Sequence, residues 1–472
     1  MDTTTSMPRL LVAGLRGGSG KTIVSLGILL LLRRAGVPIR AFKKGPDYID
    51  PAWLAWASGH PARNLDTWLM GADRILASFQ RNAIHDGLNL IEGNRGLFDG
   101  FDAAGTHSSA VLAHTLSAPV ILVLDATKMT RTAAALVLGC QALDPTLPIR
   151  GVILNNVANP RHEKILRAAI ESACSIPVIG ALPRTPRNPI AERHLGLVPP
   201  QEHETVDQVE QFILDVARNH LDTDALLRIA HSAPPLPAAS VEPPALPDGS
   251  GLRIGFIRDS AFTFYYPENL EELGRSGAEL VPISALDSAA LPENLHALYI
   301  GGGFPETHAE RLACNTGFLA SLRSACAAGL PVYAECGGLM LLARSLVARN
   351  RTFAMAGVFP IEIELFASPQ GHGYSELVID TENPFFPLGT LLRGHEFHYS
   401  RIVPGHTPLA TAAAVLRGSG SLPGRDYLLT GKVLAGYTHL HATATPEWAR
   451  GLIHAAHNYA FEWVAKRSSV VA

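Results

Sequence analysis

The feature that most constrains this chain lies in its first forty residues, in "LLVAGLRGGSGKTIVSLGILLLLRRAG". Leu10 to Ala13 is an apolar run of β type. Thr22 to Arg34 is a continuous apolar helix candidate, stopped by Gly36 and Pro38. Between them lies Gly14-Leu15-Arg16-Gly17-Gly18-Ser19-Gly20-Lys21-Thr22. A strand, a Gly-rich turn and a helix start aim backbone N–H groups and the helix dipole at phosphate oxygens. The usual loop of this kind has four residues between its first Gly and the Gly-Lys pair. Here five separate Gly14 from Gly20. The expected roles are a backbone cradle from Gly17, Gly18, Ser19 and Gly20, Lys21 at the β/γ-phosphates, and the Thr22 hydroxyl on Mg²⁺.

Short apolar runs then alternate with helical stretches. "LNLIEG" (88–93), "PVILVLDA" (119–126), "RGVILNNVA" (150–158) and "PVIGALP" (177–183) read as buried parallel strands of a doubly wound α/β sheet. Function is expected where the loops gather, at the C-terminal ends of those strands. Glu92 ends one such strand, where a Mg²⁺ ligand or water-positioning carboxylate belongs. "FKKGPDYIDP" (42–51) places Lys43, Lys44, Asp47 and Asp50 on what reads as one short loop. Such a loop suits a Mg²⁺-nucleotide and an anionic substrate, or a solvated turn. "GNRGLFDG" (93–100) adds Arg95, suited to bidentate binding of carboxylate or phosphate, and Asp99.

At 472 residues the chain has room for two or three domains. Residues 232–250, "SAPPLPAASVEPPALPDGS", carry six prolines and read as a semi-extended linker. They divide an ATP-binding domain, 8–231, from a second α/β domain, 251–460. A net charge of −3 gives no reason to expect nucleic acid or an anionic membrane as partner. The longest apolar run, Ile23 to Leu32, is too short to span a bilayer. "MDTTTSMPRL" lacks the regions of a secretion signal, and five scattered cysteines make no disulfide framework. A cytoplasmic enzyme with reduced thiols is expected.

In the second domain "VYAECGGLM" is the most informative stretch. Val332 to Ala334 enters as a strand, Gly337-Gly338 allows a tight turn, and "LMLLARSL" continues as a helix. Cys336 is then expected to be exposed near a helix N-terminus, which favours thiolate. The base it needs is found in "AGYTHLHATA": His439, or His441 two residues on and on the same face of a strand. Gly302 and Gly303, in "GGGFPETHAERL" (301–312), are candidate sources of oxyanion-binding N–H groups. His395 and His398 in "RGHEFHYS" lack a third ligand motif for zinc.

Taken together and in this order, the stretches resemble the cobyrinate a,c-diamide synthases of corrinoid biosynthesis. The resemblance rests on the five-residue phosphate loop, "FKKGPDYIDP", "NLDTWLM", "EGNRGLFDG", "RHLGLVP", "GGGFPETHAERL", "AECGGLM", "RGHEFHYS" and "YTHLH". It implies a dethiobiotin-synthetase-like P-loop half and a half similar to class I glutamine amidotransferases. It further implies that Cys336 forms a thioester with glutamine, that His439 is its base, and that ATP with Mg²⁺ activates tetrapyrrole carboxylates for attack by ammonia. Asp47, Tyr48, Ile49, Asp50, Arg95 and Asp99 then serve the substrate. Thr22, Asp47 and Glu92 hold the metal, and Asn155 joins the nucleotide site. A homodimer is left open. Arg16 stands where partitioning ATPases carry a lysine, and Lys44 and Asn94-Arg95 depart from the usual family pattern. Those departures leave siroheme or nickel-sirohydrochlorin as alternative substrates. His441 occupies the place of a glutamate in many class I amidotransferases, which leaves the group that orients His439 unassigned. The competing reading is a P-loop switch carrying an inactive amidotransferase domain.

Overall fold

The computed structural model describes residues 6–471 apart from 186–189, 191, 194, 195, 204, 243, 404, 406 and 407. His194 and Leu195 of "RHLGLVP" therefore lie outside the described residues. The chain forms two compact units that divide between Glu242 and Pro243.

The first unit is built on seven parallel strands: β1 (Arg9–Gly14), β2 (Ile39–Lys44), β3 (Arg63–Leu65), β4 (Leu88–Gly96), β5 (Val120–Asp125), β6 (Ile149–Val157) and β7 (Val178–Pro183). Their order is β3-β2-β4-β1-β5-β6-β7, so the sheet winds both ways from β1. Both faces are covered, which is why the strands read as unbroken apolar runs rather than alternating ones. Helix α1 (Lys21–Arg34) is apolar on most of its circumference and is buried accordingly. Gly27 lets it close on the helix Val206–Arg218: a β-carbon at Gly27 would lie 2.9 Å from that of Ala217.

Helix α2 (Ile49–Ser58) follows β2 after a turn of four residues. Lys43 and Lys44 thus belong to the end of β2 and Asp50 to the first turn of α2, so "FKKGPDYIDP" is not a single loop. Strand β4 also runs past Glu92 to Gly96, because its last residues still pair with β1.

The second unit has a ten-stranded mixed sheet. Its parallel part contains, in spatial order, Glu279–Ile283, Arg253–Ile257, Ala297–Ile300, Val332–Glu335 and Val433–Gly436. The antiparallel remainder ends in Leu391–His398 paired with the short strand His439–Leu440. One apolar cluster includes Ile300, Leu322, Leu339 and Tyr437; another includes Tyr299, Tyr333, Leu434 and Trp448.

The described residues of the Pro/Ala-rich stretch form no helix or strand, yet the stretch is anchored. Pro234 O accepts from Arg9, and Gln80 bonds to Pro237 and Ala239, all within the first unit. Past the division, Pro244 O and Ala245 O accept from Arg275 and Arg450 of the second.

Candidate active site

In the first unit the Gly-rich loop joins β1 to α1. Gly18 (φ 75°) and Gly20 (φ 94°) take up left-handed backbone that a side chain would oppose. No side chain caps the N-terminus of α1, so its N–H groups are left for an anion. Lys21 is buried, and its Nζ donates to Arg16 O (3.2 Å) and Arg95 O (2.7 Å). Burial lowers its pKa, with the Lys43 charge adding to the shift. Arg16 reaches across to Asp125, 3.0 Å away at the end of β5.

Asn155 lies beneath this loop, its Nδ2 donating to Ser19 O at 3.0 Å. A β-carbon at Gly20 would collide with that amide, so the glycine is required twice over.

Beside the loop stands a buried charge cluster. Lys43 Nζ donates to Glu92 Oε1 (2.7 Å) and Asp50 Oδ2 (2.6 Å). Burial would lower the lysine's pKa, but the Asp50 and Glu92 charges raise it above its ordinary value. Glu92 Oε1 also accepts from the Thr22 hydroxyl at 3.1 Å, while Oε2 is buried with no hydrogen-bond partner. Asp47 Oδ1 accepts from the N–H groups of Ile49 and Asp50, fixing the start of α2. Burial and then the Asp50 charge raise the Asp47 carboxyl to about 7. Burial would raise Asp50 as well, yet Lys43 holds it below its ordinary value.

Of the remaining candidates, Tyr48 and Ile49 sit at the entry to α2, and Arg95 is exposed with φ 50°. Asp99 turns back to accept from Gly96 N–H at 2.9 Å. Lys44 is buried 4.0 Å from Asp66, whose carboxylate caps the helix Thr67–Asn82. Among the described residues no group of three or more His, Cys, Asp or Glu is arranged to hold a metal alone.

In the second unit Cys336 joins the strand Val332–Glu335 to the helix Gly337–Leu342 with φ 50° and ψ −97°, a strained turn for a residue with a β-carbon. Its N–H donates to Gly436 O at 2.7 Å, locking the turn to the neighbouring strand. The thiol is not exposed as expected: Cys336 is 4% accessible. Burial, and then the Glu306 charge, push it above its ordinary range. Thiolate here must come from proton transfer to a partner rather than from the helix terminus alone.

Gly302 and Gly303 bridge this elbow to a histidine. A β-carbon on Gly337 would lie 3.0 Å from Gly303 N; one on Gly302 would lie 2.6 Å from His439 Cε1 and 3.4 Å from its Nε2. His439 Nδ1 lies 3.3 Å from Glu335 Oε2. His441 does not share that face, because the strand ends at Leu440. Its ring is 4.5 Å from that of Tyr266 and its Nε2 3.6 Å from Glu268. Of these two histidines, His439 is the one set against the Gly302–Gly303 loop. His395 stacks on His439 with ring centroids 5.1 Å apart, and burial holds its pKa well below normal, helped by His439. His398, on the strand's other face, stacks on Tyr437.

A buried thiol, a histidine and a glycine loop can hydrolyse an amide, and a phosphate loop with carboxylates can activate an acid. Comparison with known proteins decides the family. Residues 10–197 match the CobQ/CobB/MinD/ParA nucleotide binding domain and residues 253–447 the CobB/CobQ-like glutamine amidotransferase domain. The chain is 43% identical to the cobyrinate a,c-diamide synthase of Magnetococcus marinus, over 94% of this chain and 96% of that one. The chain belongs to the cobyrinate a,c-diamide synthase family.

Other family members include the proteins of that name from Dehalococcoides mccartyi, 38% identical over 96% of this chain and 99% of that one, and Archaeoglobus fulgidus, 39% over 95% and 98%. This places the chain among glutamine-dependent amidating ligases with a nucleotide-binding domain. Among the described residues no helix is long and apolar enough to cross a membrane.

The structure also brings in residues that the sequence did not single out. Glu335 is one, although an acid closing the otherwise uncharged strand "VYAE" is a signal in itself. Asn64 is another: its Nδ2 donates to Gly45 O and Asp47 O, both at 2.8 Å, and shapes the turn before α2.

Proposed function

We propose that this protein converts cobyrinate to cobyrinate a,c-diamide, taking nitrogen from glutamine and driving the reaction with ATP. One observation carries the reading. A single chain holds a phosphate loop beside a carboxylate–lysine cluster and, in its other unit, a strained buried cysteine whose following glycine packs on the Gly302–Gly303 loop that also meets His439.

In the second unit, His439 Nε2 takes the Cys336 thiol proton and the sulfur attacks the glutamine amide carbon. N–H groups of the Gly302–Gly303 loop receive the oxyanion. The intermediate expels ammonia, which takes its proton from His439, and leaves a γ-glutamyl thioester. Water, deprotonated by His439, then releases glutamate. In the first unit, a substrate carboxylate oxygen attacks the γ-phosphorus of ATP, breaking its bond to the β,γ-bridging oxygen and releasing ADP to leave an acyl phosphate. Ammonia displaces phosphate from the acyl phosphate to give the amide. A carboxylate is a poor acyl donor, and phosphorylation turns its oxygen into a leaving group.

Gly17, Gly18, Ser19, Gly20 and Lys21 are assigned to the nucleotide phosphates, with Asn155 shaping their loop. Asp47, Tyr48, Ile49, Asp50, Arg95 and Asp99 are assigned to the substrate. Thr22, Asp47 and Glu92 suit Mg²⁺, and the unpartnered buried Oε2 of Glu92 supports that assignment. Mg²⁺ bound there would offset charge on the phosphoryl oxygens. The working domains are assigned to 8–231 and 251–460, with 232–250 as linker. A cytoplasmic location is supported by five free cysteines.

The test compares nitrogen sources. Wild type should release glutamate from glutamine and support amidation with either glutamine or ammonium. Cys336→Ser should lose the glutamine-supported reaction and keep the ammonium-supported one. Wild type that hydrolyses no glutamine would sink the reading.

A further inference from the structure

We propose that Glu335 is the positioning residue of the glutaminase site, holding His439 in the tautomer protonated on Nδ1 and so completing a Cys–His–Glu relay. The inference rests on the glutaminase reading of Cys336. Its unusual feature is the source of the acid, which is the residue directly before the nucleophile and not a residue beyond the histidine.

Glu335 is fully buried, and both of its oxygens are occupied. Oε1 accepts from Tyr333 Oη and from Leu440 N–H, each at 3.1 Å. Oε2 accepts from Tyr299 Oη at 3.1 Å and faces His439 Nδ1 at 3.3 Å. Burial, and for Tyr299 next the Glu335 charge itself, hold both phenols well above their ordinary range, so they remain donors. The carboxylate only accepts, so the Nδ1 beside it must carry a proton. The lone pair is then on Nε2, which lies 3.4 Å from where a β-carbon on Gly302 would stand.

His395 stacks on the face of the His439 ring, and His441 turns to Tyr266 and Glu268. Leu440 N–H binds Glu335 one residue beyond His439, so the carboxylate fixes backbone and ring together. When His439 accepts the thiol proton, the Glu335 carboxylate beside Nδ1 stabilises the imidazolium.

The deciding experiment measures glutaminase kcat and KM, and ammonium-supported amidation, for wild type, Glu335→Gln and Glu335→Asp. Glu335→Gln should lower glutaminase kcat by about 10²–10⁴-fold, because its amide can present the wrong partner to Nδ1. Its KM for glutamine and the ammonium-supported rate should stay near wild type, a split that general loss of packing would not produce. Glu335→Asp, which keeps the charge, should recover at least about tenfold of the kcat loss. Wild-type kcat in Glu335→Gln, or an Asp variant as slow as the Gln variant, would overturn the assignment. If Glu335→Gln does not fold, the Asp variant decides: kcat within about a hundredfold of wild type supports the role, and a rate as low as that of Cys336→Ser overturns it. A wild type without glutaminase activity fails the underlying reading instead, before Glu335 is tested.

Discussion

Lys43 Nζ lies 2.7 Å from Glu92 Oε1, and neither side chain is more than 2% exposed. The pair ties the end of β2 to the middle of β4, beside Thr22 at the start of α1. Removing the cation leaves Glu92 buried without its charge partner. Lys43→Met should therefore destabilise the first unit by about 3–5 kcal/mol, as broken buried pairs do. Urea unfolding checks this, and a loss below about 1 kcal/mol would contradict it.

Gly302 leaves no room for a side chain beside His439, since a β-carbon there would lie 2.6 Å from Cε1. Gly302→Ala should push the imidazole out of line and disturb the oxyanion loop. Glutamine-supported amidation should fall by about 10²-fold or more, while ammonium-supported amidation persists. Steady-state rates with the two nitrogen sources measure the effect.

Asn155 shapes the phosphate loop through one hydrogen bond to Ser19 O. Asn155→Ala removes that bond, worth about 1 kcal/mol. The KM for ATP should rise about fivefold with the KM for glutamine unchanged. Equal shifts in both would argue against a local role.

Burial would raise Asp125, yet hydrogen bonds from Thr127, Asn156 and Arg16 hold its pKa at about 2, against 3.8 when unperturbed. A depressed carboxylate pKa contributes stability that is present above the unfolded value and lost as pH falls through the folded one. Acid should thus weaken the first unit between about pH 4 and pH 2. Asp125→Asn should show a shallower loss across that window in denaturant titrations, and an unchanged slope would remove Asp125 from the explanation.

Much of this fold was legible because its signals are local. The run from Leu10 through the glycines to Arg34 shows its strand, turn and helix within one stretch. The glycines after Cys336 mark the elbow in the same way. The site pairings were less legible, because they are set by which strands become neighbours. Lys43 and Glu92 are 49 residues apart, and Glu335 and His439 are 104 apart. Nothing in the spacing of His439 and His441 showed that the strand would stop between them, at Leu440. The exposure expected for Cys336 followed from its helix terminus, but packing around the elbow overrode it. The Pro/Ala-rich stretch was recognisable as lacking elements, while its anchoring by Arg9, Gln80 and Arg275 depends on the folded units.

The most direct measurement is mass spectrometry of the tetrapyrrole after incubating purified protein with cobyrinate, ATP, Mg²⁺ and glutamine. The expected product has two carboxylates converted to amides, its mass lowered by the difference between OH and NH₂ for each. Glutamate, ADP and phosphate should form in step with it. Cobyrinate recovered unchanged, while siroheme or sirohydrochlorin is amidated under the same conditions, would contradict the assignment.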